Sequence, residues 1–119
     1  MIFNNCLIKV SDNSNVSYVK CFNIRKELKS FIGVFLYMSI KSLKTEGRLL
    51  KGDVLKGIIV RERKNYHRYT GNYLKFDLNE TILLNEKNEV FNAKILGLLP
   101  LELKRKKHLR LLSLSSHFI

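Results

Sequence analysis

The chain is poor in the residues that staple or punctuate small domains: one proline, one alanine, two cysteines and no tryptophan in 119 residues. Two cysteines cannot supply the dense disulfide framework of small secreted scaffolds, so stability must come from a packed core. A chain of this length can bury roughly two thirds of its unfolded surface, which suffices for one domain over 1–119. Long apolar runs are also missing. The most apolar stretch, Phe31 to Ile40, spans ten positions, about half of what a bilayer-spanning helix requires, and membrane insertion is not expected. The N-terminal residues Met1 to Val10 show neither a basic segment followed by a long apolar one nor an Arg/Ser-rich amphipathic pattern, so no targeting signal is expected there. Acid is scarce too. Ten Asp plus Glu face 22 Lys plus Arg, a formal net charge of +12, while 45% of the residues are hydrophobic. That hydrophobic share excludes a disordered basic tail, and so one-sided a field points to a polyanionic partner. Nucleic acid leads, with an anionic membrane surface second.

What is present reads as a succession of short strands. Ile2 to Val10 alternates in part, Ser11 to Asn15 supplies turn residues, and Val16 to Ile24 resumes a β-rich run, which predicts a hairpin. Phe31 to Lys41 is a strongly β-favouring strand with Gly33 at its start or at a bulge. Turns at Thr45 to Arg48 and Lys51 to Asp53 precede a strand from Val54 to Arg63 centred on Ile58, Ile59 and Val60. Thr70-Gly71-Asn72 is a turn before Tyr73 to Asp77. Thr81 to Leu84 and Phe91 to Leu96 read as further strands, separated by a polar turn at Asn85 to Asn88. Short strands at this spacing, without a helical period before residue 100, predict a small β-barrel, whose closure removes exposed edges. After Pro100 the segment Glu102 to Leu112 favours helix, so one or two short helices are expected within about 100–119.

Chemistry-bearing constellations are thin. His67, His108 and His117 have no companion at metal-ligand spacing, and no phosphate-cradling Gly-rich loop occurs. Asp12, Asp53 and Asp77 each adjoin turn residues, where a carboxylate caps backbone N–H groups, and no convergent acid/base pair can be assembled from them. No catalytic residue, metal or cofactor is expected. If the first hairpin turns at Asn13 and Ser14, Cys6 faces Cys21. A cross-strand disulfide is then geometrically open, as is a pair of small buried hydrophobes.

The cations carry the signal. Arg61, Arg63, Lys64 and Arg68 interleave with Tyr66, His67 and Tyr69, so phosphate-neutralising charges stand beside rings able to stack on bases. Lys104, Arg105, Lys106, Lys107 and Arg110 form a second cluster, and Lys41, Lys44, Arg48, Lys51 and Lys56 a third, more scattered one. One charge run is usually a solvated face. Three of them with this net charge point to recognition of a nucleic-acid backbone, with no base-reading motif in evidence.

From Lys51 to Arg61 the sequence resembles the universal large-subunit ribosomal protein 14 family of the bacterial and organellar type. That family's signature joins a small residue and three aliphatics to a small polar residue plus Gly, an aromatic, an Asn or Thr and an aliphatic pair. Gly57-Ile58-Ile59-Val60, Thr70-Gly71, Phe76, Asn79 and Ile82-Leu83 match it in spacing, with Thr70 where Asp, Asn or Ser is usual and Ile82 where Val is usual. Asp12-Asn13-Ser14, Cys21, Ala93 to Gly97 and Leu111 to Leu114 extend the likeness to both ends. Departures are local: the Arg25 to Ser30 loop is short for the family, Val34 stands in place of an Asp, and Thr45-Glu46 replaces Pro-Arg.

The resemblance implies a mainly β fold, a five-stranded barrel with a protruding β-ribbon and a C-terminal segment with small helices. It implies a structural constituent of the large subunit that binds large-subunit rRNA, packs against large-subunit proteins three and nineteen, and helps bridge to small-subunit rRNA. The same surface resembles the docking site of the ribosomal silencing factor. Abundant Lys, Asn, Ile and Leu are the drift of an AT-rich genome and point to a mitochondrial ribosome, with an AT-rich bacterium or a plastid as the alternative. A free-standing OB- or SH3-like barrel that regulates RNA is the competing reading.

Overall fold

The computed structural model describes residues 2, 4–11, 16–22, 24, 31–47, 49–68, 70–87, 89, 95–101, 103, 111 and 115–119. Alternation builds the first three strands. In β1 (Leu7–Val10), β2 (Val16–Phe22) and β3 (Phe35–Leu43) every second side chain points inward, so Ile8, Val10, Val19, Cys21, Leu36, Met38 and Ile40 meet in one core while Leu7, Tyr18, Phe35 and Tyr37 face outward. The hairpin register is the expected one, with Leu7 opposite Lys20 and Lys9 opposite Tyr18. It carries Cys6 to Cys21, whose N–H donates to the Cys6 carbonyl at 3.2 Å. Both cysteines are buried as thiols and are not joined in a disulfide.

Two strands abandon alternation because both of their faces are covered. In β4 (Val54–Arg61) Ile59 fills the barrel while Ile58 and Val60 point outward, and in β7 (Glu80–Leu84) Leu83 is inside and Ile82 and Leu84 outside. The outward set is buried beneath Ile32, Ile95, Leu99, Leu103 and Leu111, a second core that clamps the C-terminal segment onto the barrel wall. The barrel closes in the order β1-β2-β3-β4-β7. Its last seam is parallel, pairing Lys9 with Glu80 and Val10 with Thr81, and Ser11 N–H adds a bond to the Thr81 carbonyl at 3.0 Å.

Outside the barrel, β5 (Tyr66–His67) and β6 (Tyr73–Leu74) form a two-stranded ribbon, and β8 (Ile95–Leu99) pairs in parallel with β9 (Ser115–Phe118). The fold is thus mainly β with the expected five-stranded barrel. Several boundaries differ from expectation: β1 starts at Leu7 rather than Ile2, β2 ends at Phe22 rather than Ile24, β3 ends at Leu43 rather than Lys41, β4 ends at Arg61 rather than Arg63 and β7 starts at Glu80 rather than Thr81. The third strand starts at Phe35, not Phe31, because Gly33 at φ 81° closes a turn in which Val34 N–H bonds the Phe31 carbonyl at 3.0 Å. Only Tyr73 and Leu74 of the 73–77 run are strand, paired to a short strand at Tyr66 and His67. Of the expected 91–96 strand the described part begins at Ile95 and runs on to Leu99, and its partner is β9, which no local pattern announced. The Asp12 to Asn15 turn, the Arg25 to Ser30 loop and residues 91–94 lie outside the described residues, as does most of the expected helical segment. Within that segment Leu103 and Leu111 are described, and both are buried.

Candidate nucleic-acid interface

The ribbon leaves the barrel where β4 ends, and its root is pinned from several sides. Glu62 is buried, its carboxylate accepts the Phe31 N–H at 3.0 Å, and its carbonyl accepts the Phe76 N–H at 3.2 Å. One residue on, the Arg63 N–H donates to the Asn79 side-chain oxygen at 2.8 Å. Backbone ordered in this way loses little further conformational entropy when a ligand arrives. The tip turns at Gly71, φ 88°, whose N–H bonds the Arg68 carbonyl at 3.0 Å. Between root and tip, the His67 and Tyr73 rings stack at 4.5 Å and 12°, with Tyr73 67% exposed. Arg63 and Lys64 are exposed, and Tyr66 is half-buried. The half-buried Arg68 donates from its guanidinium to the Ile119 carbonyl at 2.8 Å, which ties ribbon to C-terminus.

Arg61 does not belong with these groups. It is 6% exposed, its guanidinium pairs with the Glu80 carboxylate, and its Nε donates to the Leu98 carbonyl at 2.7 Å. A buried cation needs such compensation, and here it straps β4, β7 and β8 together. Gly97 keeps the space open, since a Cβ there would lie 2.6 Å from the Arg61 guanidinium. In the chain by itself Arg61 is thus engaged inside the fold, unlike the exposed Arg63 and Lys64.

The third cluster is dispersed. Lys41 is exposed near the end of β3, and Lys51 is exposed on the turn that Asp53 caps by accepting the Leu50 N–H at 3.1 Å. Lys44 lines a cleft of about 440 Å³ with Lys9, Arg61, Asp77 and Glu80. Lys9, an outward position of β1, was not singled out by any cluster, because an isolated lysine in an alternating strand looks like ordinary solvated surface. Lys56 stands apart on the barrel wall, its Nζ 5.9 Å from the Phe35 ring centre and 5.8 Å from that of Tyr37. Arg48, Lys104, Arg105, Lys106, Lys107 and Arg110 lie outside the described residues. Among the described residues no three His, Cys, Asp or Glu side chains converge to hold a metal.

The sequence matches the family described as Ribosomal protein L14p/L23e over residues 1–119, the whole chain. The chain belongs to that family. As an L14p/L23e protein it is a structural component of the large ribosomal subunit. Several positions that carried the family likeness have physical work in the L14p/L23e barrel. A Cβ on Gly57 would sit 2.6 Å from the Met38 sulfur and 2.9 Å from the Thr81 hydroxyl, so the interior admits only glycine without rearrangement. Thr81 in turn donates its hydroxyl to the Ile58 carbonyl at 2.9 Å. Asn79 braces both the ribbon root and β1, whose Lys9 N–H reaches the Asn79 carbonyl at 3.3 Å.

Proposed function

We propose that this L14p/L23e chain holds large-subunit rRNA through its ribbon and scattered lysines, and stands at the subunit interface. The observation that carries this reading is the ribbon itself: a short, root-pinned hairpin with Arg63, Lys64 and Arg68 beside an exposed His67–Tyr73 stack. Fixed cations on preordered backbone neutralise phosphates with release of counterions, and the rings take unpaired bases or ribose faces. The proposed rRNA-facing set is Lys41, Lys44, Arg48, Lys51, Lys56, Arg63, Lys64, Tyr66, Arg68, Lys104 to Lys107 and Arg110. Large-subunit proteins three and nineteen are the proposed neighbours, small-subunit rRNA the proposed bridge partner, and the silencing factor a regulator docking on the same exposed side. The AT-rich residue usage supports a mitochondrial ribosome.

The deciding experiment is sedimentation of tagged chain with purified large subunits, from organelle and cytosol fractions separately. Retention on mitochondrial large subunits after a high-salt wash is expected. A chain that stays at the top of the gradient, yet binds short RNA single strands at about 0.2 M salt, where phosphate-only contacts are already weak, would be a free-standing RNA regulator instead.

A further inference from the structure

The barrel treats its two outer walls differently. Outside β4 and β7 the C-terminal segment covers Ile58, Val60, Ile82 and Leu84, whereas outside β2 and β3 Phe35 and Tyr37 remain 45% and 46% exposed. The register sets Phe22, Tyr37 and Lys56 side by side across three strands. The Phe22 and Tyr37 rings lie 6.3 Å apart at 29°, and the Lys56 ammonium rests between the Tyr37 and Phe35 rings. Lys20 and Lys41 occupy further outward positions on β2 and β3, and β2, β3 and β4 contain no Asp or Glu at all.

We propose that this wall is a stacking platform for unpaired RNA bases, with Tyr37 and Phe35 as the stacking surfaces and Lys56, Lys20 and Lys41 receiving the flanking phosphates. The charge decides the occupant. Glu86, exposed just after β7, is a carboxylate lining the cleft beside Tyr37 and Lys56. One acid against Lys20, Lys41 and Lys56 leaves the wall net cationic, so an apolar protein surface laid on these rings would bury cations in excess of their compensation. A single strand offers flat π faces and negative charge together, and it is recognised elsewhere by outward aromatics on a sheet with cations between them. Phe35 and Tyr37, two positions apart on one strand, stand about 6.6 Å apart and present two rings in series. The platform is separate from the ribbon, and the inference rests on the reading that the chain works on rRNA.

The test uses the purified full-length chain and a fluorescein-labelled cytidine–adenosine dodecamer, its duplex with the complement, and an abasic strand of equal length. The double variant Phe35→Leu and Tyr37→Leu keeps apolar β-formers but removes the rings. It should lose roughly ten-fold or more in affinity for the dodecamer, the scale of one lost base stack or more. Affinity for duplex and abasic strand, the salt slope and the circular dichroism spectrum should not change. Photo-crosslinks from a thiouridine-substituted dodecamer should map to the peptide holding Tyr37. Equal affinity of wild type and variant for the dodecamer overturns the platform while leaving the ribbon reading intact, as do crosslinks confined to the ribbon. A variant with wild-type RNA affinity that no longer stays on large subunits means that a protein covers this wall, which also overturns it. Binding of none of the RNAs by the wild-type chain overturns the rRNA reading and this inference with it.

Discussion

Arg61 shows how burial decides what a charged residue does. The sequence groups it with Arg63 and Lys64, but its guanidinium lies inside, shared between Glu80 and the Leu98 carbonyl. Arg61→Ala leaves Glu80 largely buried without its cation and is expected to cost about 3 kcal/mol of unfolding free energy, with an unchanged salt slope for RNA binding. Arg61→Lys should recover only part of that, because one ammonium cannot reproduce the planar two-direction contact. Chemical denaturation of both variants checks it, and wild-type stability in Arg61→Ala would mean the strap is slack. Gly57 makes a complementary case. Gly57→Ala pushes a methyl against the Met38 sulfur and the Thr81 hydroxyl and should lower stability by about 1–3 kcal/mol, an overpacking cost read from the thermal midpoint. Cys21 yields a pH dependence. Burial, then the neighbouring Cys6, raises its thiol pKa from 9.0 to about 11. Between those values the unfolded chain has released this proton and the folded chain still holds it, so the contribution is intact below pH 9 and is lost as pH climbs toward 11. Urea midpoints of wild type should fall more steeply over that window than those of Cys21→Ala, and parallel profiles would contradict the assignment.

At the scale of elements, what was legible in the sequence was whatever local chemistry sets. The hairpin register follows from a turn centred on Asn13 and Ser14 and needs no tertiary information, which is why Cys6 and Cys21 could be paired by number alone. The runs Ile58-Ile59-Val60 and Ile82-Leu83-Leu84 announce burial on both faces, though not which segment supplies the outer cover. What stayed hidden was non-local. The β8–β9 pair is parallel and joins residues twenty positions apart, Ile95 opposite Ser115, so its partner choice depends on the second core rather than on any turn. The candidate interface was half legible for the same reason. Exposed Arg63 and Lys64 could be read from a charge run, but Arg61 could not be told from them, and the β-favouring stretch Phe31 to Lys41 did not show which face Phe35 and Tyr37 would take until closure fixed which side was outside. The ribbon permits a test at this scale. Gly71 sits at φ 88° with open space around it, so Gly71→Ala strains only the backbone, by about 1–2 kcal/mol. Hydrogen exchange should quicken at the Arg68 and Gly71 amides, which donate to the Asn72 and Arg68 carbonyls and close the tip, and stay unchanged in the barrel strands. Faster exchange throughout would mean that the ribbon and barrel unfold as one unit.

For the whole molecule, the dominant quantity is charge that the fold cannot neutralise by itself. Even if each of the ten carboxylates pairs with a cation, as Glu80 does with Arg61, the formal excess of +12 remains. Lys41, Lys51, Arg63 and Lys64 lie at the surface, where their mutual repulsion opposes the compact state and is screened by salt. Salt should therefore act in opposite directions on the free chain and on its complex. Raising ionic strength from about 0.01 to about 0.15 M shortens the screening length from about 30 to about 8 Å, which relieves self-repulsion and should raise the thermal midpoint of the isolated protein. The same change weakens RNA binding, because each counterion released at a phosphate contact gains less entropy in a more concentrated bulk. Replacing Arg63 and Lys64 with Ala should reduce both effects together: a smaller salt-induced rise in midpoint, and a binding slope shallower by roughly 0.7 to 0.9 for each lost phosphate contact. If the midpoint becomes salt-insensitive while the binding slope is untouched, those two cations strain the free fold without touching RNA, and the ribbon is not the phosphate-binding element.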